Sequence, residues 1–89
     1  MKIKLELFGA SRDFSDKDHL EIEIQNKASI DDLRNEIIRY INKNFEGNEN
    51  FIKVVKSSAF CSENNEIISD NYKITKDQKI GIIPPIGGG

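Results

Sequence analysis

Polar and apolar residues alternate through Lys2-Ile3-Lys4-Leu5-Glu6-Leu7, the two-residue period of a strand with one buried face. This phase turns Ile3, Leu5 and Leu7 inward and leaves Phe8 on the outer side. Gly9 to Asp18 is polar and turn-rich, with Ser15-Asp16-Lys17-Asp18 as its turn. Alternation resumes in His19-Leu20-Glu21-Ile22-Glu23-Ile24-Gln25 and places Leu20, Ile22 and Ile24 inside. Two alternating runs joined by a polar loop predict an antiparallel hairpin.

The period changes at Ser29-Ile30-Asp31-Asp32, which has the form of a helix start. Ser29 can cap the first turn, Asp32 three residues later completes an acidic capping box, and both aspartates suit the positive end of the helix dipole. Ile30, Leu33, Ile37, Tyr40, Ile41 and then Phe45 recur at three- and four-residue steps, one apolar helix face, and Gly47 is the expected stop. Residues 51–60 read as a third strand of irregular phase, which leaves room for a bulge. Glu63-Asn64-Asn65-Glu66 is a turn before the short apolar pair Ile67-Ile68, and Lys76-Asp77-Gln78 is another before a last strand, Lys79 to Ile83. Strand, strand, helix, strand, short strand, strand predicts an α+β fold of the β-grasp type, one main helix across a mixed sheet. Residues 1–83 are expected to form that domain and 84–89 a flexible tail.

Composition narrows the function classes. A chain of 89 residues supports one modest core, hiding roughly 60–65% of its unfolded surface, and little enclosed cavity of its own. Any chemistry is therefore expected to use a partner's cavity. A net charge of -2 supplies no basic field for nucleic acid or an anionic membrane. The single cysteine, Cys61, excludes an internal disulfide and suits a reducing, cytoplasmic setting. With one His, one Cys and no Trp, no metal-ligand spacing and no phosphate-binding glycine loop, the chain is not expected to carry an enzyme site or bind a cofactor itself.

The end of the chain carries the functional signal. After the last strand it runs Pro84-Pro85-Ile86-Gly87-Gly88-Gly89. The prolines fix φ and remove two backbone donors, whereas the glycines carry no side chain and accept nearly any backbone angle. Fully extended, this segment reaches on the order of 20 Å. A stiff base with a thin tip can present its terminal carboxylate through a channel that any Cβ would block. A carboxylate must be activated, typically as an acyl-adenylate, before a sulfur nucleophile attacks it. No nucleotide-binding loop exists in this chain, so activation falls to a partner.

Thr75 to Gly88, with its polar turn, apolar strand, Pro84-Pro85, Ile86 and terminal glycines, resembles the C-terminal signature of the small subunit of molybdopterin synthase. Ile3-Lys4-Leu5-Glu6-Leu7-Phe8-Gly9-Ala10 and the Ser29-Ile30-Asp31-Asp32-Leu33 helix start are also similar. Gly87 departs from the family's usual Ser or Thr, which makes Gly88 and Gly89 the working pair. The resemblance implies a ubiquitin-like sulfur carrier. On that likeness the Gly89 carboxylate is expected to be adenylated by a ubiquitin-activating-like adenylyltransferase using ATP and Mg, and converted to a thiocarboxylate. The resemblance further implies that sulfur passes to a cyclic pyranopterin precursor in the large synthase subunit, within a heterotetramer. Phe8, Ile83, Pro84, Pro85, Ile86 and Gly87 are the implied partner-binding residues, Phe8 and Ile83 forming one apolar patch on adjacent strands. Cys61 reads as a packing residue rather than a relay thiol, and His19 as a solvated edge residue. The same tail also suits a ubiquitin-like modifier joined through Gly89 to lysines, a sulfur carrier for thiamine thiazole synthesis, or an interaction module indifferent to its glycines.

Overall fold

A computed structural model describes residues 1–85. Strand β1 (Lys2–Leu7) pairs antiparallel with β2 (His19–Glu23), Lys2 opposite Glu23 and Glu6 opposite His19. On its other side β1 pairs parallel with β7 (Gln78–Ile83), Ile3 opposite Gln78 and Leu7 opposite Ile82. Strand β4 (Ala59–Cys61) joins β7 antiparallel and β5 (Ile67–Ile68) closes the far edge, giving the order β2-β1-β7-β4-β5. The predicted hairpin is present, and the first and last strands meet at the centre.

Helix α1 (Ile30–Asn44) lies in the crossover that parallel pairing demands. Its Ile30, Leu33, Ile37 and Ile41 are fully buried in one cluster with Ile3, Leu5, Leu7, Leu20, Ile22, Phe60, Ile80 and Ile82. This is the α+β β-grasp arrangement. The helix begins as its sequence demands: Asp32 N–H donates to Ser29 Oγ at 3.0 Å, and Ser29 N–H donates to Asp32 Oδ2 at 2.9 Å. It ends with Phe45 N–H on the Ile41 carbonyl at 2.9 Å. Left-handed backbone comes next at Glu46 (φ 53°) and Gly47 (φ 70°), so the reversal starts one residue before the expected glycine.

The expected third strand over residues 51–60 is mostly helix. Helix α2 (Glu49–Ser57) occupies that stretch, and only β4 remains of the strand. Asn48 starts it: its Oδ1 accepts the N–H groups of Asn50 (3.0 Å) and Phe51 (3.2 Å). The irregular apolar phase was the helical period, with Phe51 and Val55 four residues apart, Val55 fully buried and the Phe51 ring 5.1 Å from that of Phe14. No bulge is needed. Gly9 to Asp18 also differs from a plain loop. Gly9–Phe14 forms a 3-10 helix and Phe14 is fully buried, its carbonyl accepting the Tyr40 hydroxyl at 2.7 Å. Two further strands, β3 (Ala28–Ser29) and β6 (Lys73–Ile74), pair as a separate small ladder.

Two side chains stand in for missing strands. Asp77 Oδ1 accepts the Lys2 N–H at 2.9 Å, and Glu63 Oε1 accepts the Lys79 N–H at 2.8 Å beyond the end of β4. Both keep β1 and β7 paired to their ends.

Candidate functional site

The sheet face turned away from α1 is built from the outward phase of each strand. One register row crosses all five strands as His19, Glu6, Gly81, Cys61 and Ile67. The next row toward the exit of β7 brings Phe8, Ile83 and Ala59 together, one step past Leu7 opposite Ile82. Phe8 is 44% exposed, Ile83 half-buried and Ile67 67% exposed. The face is thus apolar where β7 leaves the sheet. At the other end it is charged, with Lys79 Nζ 3.5 Å from Glu6 Oε1.

Three local features shape this end. Phe8 is extended (φ −121°, ψ 151°), and its carbonyl accepts both the Ser11 N–H at 3.2 Å and the Ser11 hydroxyl at 2.6 Å. Gly9 turns the chain with φ 56°, and a Cβ there would sit 3.9 Å from Cδ and Cγ of Pro84. Pro84 itself is buried and Pro85 exposed. Pro84 is therefore a fixed base for the end of the chain, and of the two prolines Pro85 is the one that offers surface. Ile86, Gly87, Gly88 and Gly89 lie outside the described residues, and with them most of the segment expected to form the tail.

Cys61 is buried at 6% exposure, yet it lies outside the main core cluster, on the outward phase opposite Gly81. Its place fits packing. His19 is half-buried on the edge strand, with Nδ1 3.0 Å from Asp18 Oδ1. That hydrogen bond holds the Asp18 carboxyl below its ordinary range. His19 shares a register row with Gly81 and Cys61 but stands two strands from β7, apart from the tail exit. Among the described residues no group of three or more His, Cys, Asp or Glu side chains is placed to hold a metal ion, and no helix is long and apolar enough to cross a membrane.

Sequence pattern alone does not single out Gly81 or Ile67 as parts of this face. A signal exists at Gly81, because a glycine inside an apolar strand marks a close approach of another group. Ile67 gives none, since the face to which a two-residue strand belongs is set by its partner.

A mixed five-stranded sheet over one principal helix, with the C-terminal strand central and its exit flanked by apolar residues, defines a ubiquitin-like β-grasp protein. Residues 5–89 match the ThiS family, and the chain belongs to it. Comparison with curated proteins gives no match. Among solved structures it is similar to a protein of Pyrococcus furiosus assigned as molybdopterin converting factor, subunit 1. That pair is 23% identical, with a TM-score of 0.69 over 96% of this chain and 98% of the other. SAMP1 of Haloferax volcanii is similar at 12% identity and TM-score 0.68, with each chain fully covered. Ubiquitin of Caldiarchaeum subterraneum is similar at 16% identity and TM-score 0.61, over 100% and 98%. At these identities the structures establish the shared fold.

Proposed function

We propose that this chain is a sulfur carrier for molybdopterin formation, working through the carboxylate of Gly89. The observation that carries the reading is the placement of the exit. The chain leaves the centre of the sheet at Pro84-Pro85, on the end where Phe8 and Ile83 stand, and its sequence continues as Ile86-Gly87-Gly88-Gly89. Membership of the ThiS family supports carriage of sulfur, and the Pro84-to-Gly88 signature together with the P. furiosus likeness favours molybdopterin as the destination.

In this reading the Gly89 carboxylate attacks the α-phosphorus of Mg-bound ATP on a ubiquitin-activating-like adenylyltransferase and displaces pyrophosphate. Sulfide then attacks the acyl carbon and displaces AMP, leaving a thiocarboxylate. The large synthase subunit receives the tail, and the sulfur passes to a cyclic pyranopterin precursor. Phe8, Ile83 and Pro85 dock the body against each partner, Pro84 fixes the exit, and Ile86, Gly87 and Gly88 occupy the channel. Docking of the body prepositions the tip, so the chain contributes binding and a carboxyl group while the partner contributes the reacting cavity.

The intact mass after incubation with ATP, magnesium, sulfide and the adenylyltransferase tests this. Replacement of one oxygen by sulfur is expected, lost on deletion of Gly88 and Gly89. An unchanged mass with an enzyme competent on its own substrate refutes carriage. The likeness to SAMP1, a small archaeal modifier protein, and to a ubiquitin favours a second reading, conjugation through Gly89 to lysines. High-mass conjugates on a blot, absent for the truncated chain, distinguish it.

A further inference from the structure

We infer that Gly81 is a positioning residue: its missing side chain is the seat on which the Phe8 ring lies, and the seated Phe8–Gly9 corner braces Pro84 and orients the tail exit. The functional consequence rests on the proposed role of the tail; the seat itself does not.

Gly81 is not needed for its backbone. It sits within β7 in register with Glu6 and Cys61, and its φ is not positive, so any residue could adopt its conformation. A glycine there forgoes strand stability and a packed side chain. It lies on the outward phase, between the inward Ile80 and Ile82, and is nevertheless buried. The cover is local. A Cβ at Gly81 would stand 2.9 Å from Cε2 and 3.6 Å from Cδ2 of Phe8, and 2.8 Å from the Cys61 sulfur. Contacts between carbon atoms are comfortable at about 3.5–4.0 Å, so a methyl group cannot share this space with the ring. The ring and the sulfur together fill the volume that every other amino acid would take.

The seat connects to the base of the tail through the residues next to Phe8. The Phe8 carbonyl is held by both hydrogen-bonding groups of Ser11, so the corner cannot rotate freely. Gly9, the next residue, lies near the buried Pro84, since a Cβ on it would stand 3.9 Å from Cγ and Cδ of that ring. Lifting Phe8 therefore raises its ring from the outer face and shifts Gly9 beside Pro84 at the base of the tail. The inward side chains of β7, Ile80 and Ile82, are untouched by this, so the effect falls on docking rather than on the core.

Cys61 makes the seat measurable without any partner. It is on the outward phase, its row neighbours are a glycine and the exposed Ile67, and still its exposure is only 6%. Alkylation of the native full-length chain by N-ethylmaleimide is expected to run several-fold faster in Gly81→Ala than in wild type. Phe8→Ala adds no clash and is expected to give the same acceleration, whether or not the first variant folds. Unchanged rates in both variants overturn the seat. With the ubiquitin-activating-like adenylyltransferase, Gly81→Ala is expected to raise KM for the carrier several-fold while kcat stays near wild type. In a Phe8→Leu/Cys61→Ala background, where both the ring and the sulfur that crowd this space are removed, Gly81→Ala is expected to have little further effect on KM. An equal penalty in both backgrounds refutes the coupling of Gly81 to Phe8. If wild type is not adenylated at all, the proposed function fails, and the alkylation arm still decides whether the seat exists.

Discussion

Ser29 and Asp32 show how much a pair of residues can decide. Each accepts the other's backbone N–H, so two donors that the first turn of α1 would leave unpaired are satisfied by sequence neighbours alone. Ser29→Ala is expected to lower stability by about 1 kcal/mol, read as a fall in the urea midpoint at unchanged slope. The hydrogen bond from the Ser29 N–H, and then that with its hydroxyl, hold the Asp32 carboxyl below its ordinary 3.8. A carboxylate depressed on folding contributes its stability above the unfolded value and loses it as pH falls through the folded one. The deficit of Asp32→Ala against wild type is therefore expected to be constant near neutrality and to shrink only below about pH 3.8. A deficit that persists undiminished in strong acid would show that the carboxylate charge plays no part in the cap.

At the scale of elements, α2 is where local pattern and tertiary context part. Its apolar residues Phe51, Ile52, Val54 and Val55 share one helix face, but the helix is only nine residues long and runs almost directly into β4, so reading residues 51–60 as a single element blurs the helical period. Context makes the choice. The Phe51 ring packs 5.0 Å from Phe45 and 5.1 Å from Phe14, and the C-terminal end of α2 is tied down by Arg34 of α1. Arg34 Nη1 donates to the carbonyls of Val55 and Ser58, each at 2.8 Å, and Nη2 reaches Asp70 at 2.7 Å. The guanidinium also lies 4.9 Å over the Phe60 ring. Lysine has neither the planar fork nor the reach to serve these acceptors together. Arg34→Lys is thus expected to cost about 2 kcal/mol, since hydrogen bonds from charged groups contribute roughly 1.5–3 kcal/mol each and part of the contact is kept. Amide exchange should accelerate first at the end of α2 and in β4. Uniform acceleration across the sheet would contradict a local tie.

For the whole molecule, the separation of body from tail is the property to test. The inner core is built from β1, β2, β4, β7 and α1 together with Phe14, Val55 and Ile74 from the connecting elements, and it includes neither Phe8 nor Ile83. Phe8→Asp and Ile83→Asp are therefore expected to leave the melting temperature within a few degrees of wild type while weakening adenylyltransferase binding at least tenfold in a titration. Loss of the fold together with binding would assign these side chains to stability instead. Deletion of Gly88 and Gly89 is expected to leave the urea midpoint unchanged.

The alternation of β1 and β2, the capped start of α1 with its apolar stripe, and the Pro-Pro-to-glycine ending were all legible because each is written in residues a few positions apart. These periods and caps determined the β-grasp class, and the glycine-rich ending prompted the role proposed for Gly89. What the sequence could not determine depends on residues far apart in the chain. The helical state of Glu49–Ser57 is settled by Phe14, Phe45 and Arg34. The two-residue strands β3 and β6 exist only as each other's partners. The burial of Cys61 and the need for glycine at position 81 come from the parallel pairing of β1 with β7, which carries Phe8 across more than seventy residues of chain to lie on Gly81. Local pattern fixes local geometry through backbone sterics and nearby hydrogen bonds, whereas the shape of the outer sheet face is a consequence of register, and register is set only when the strands meet.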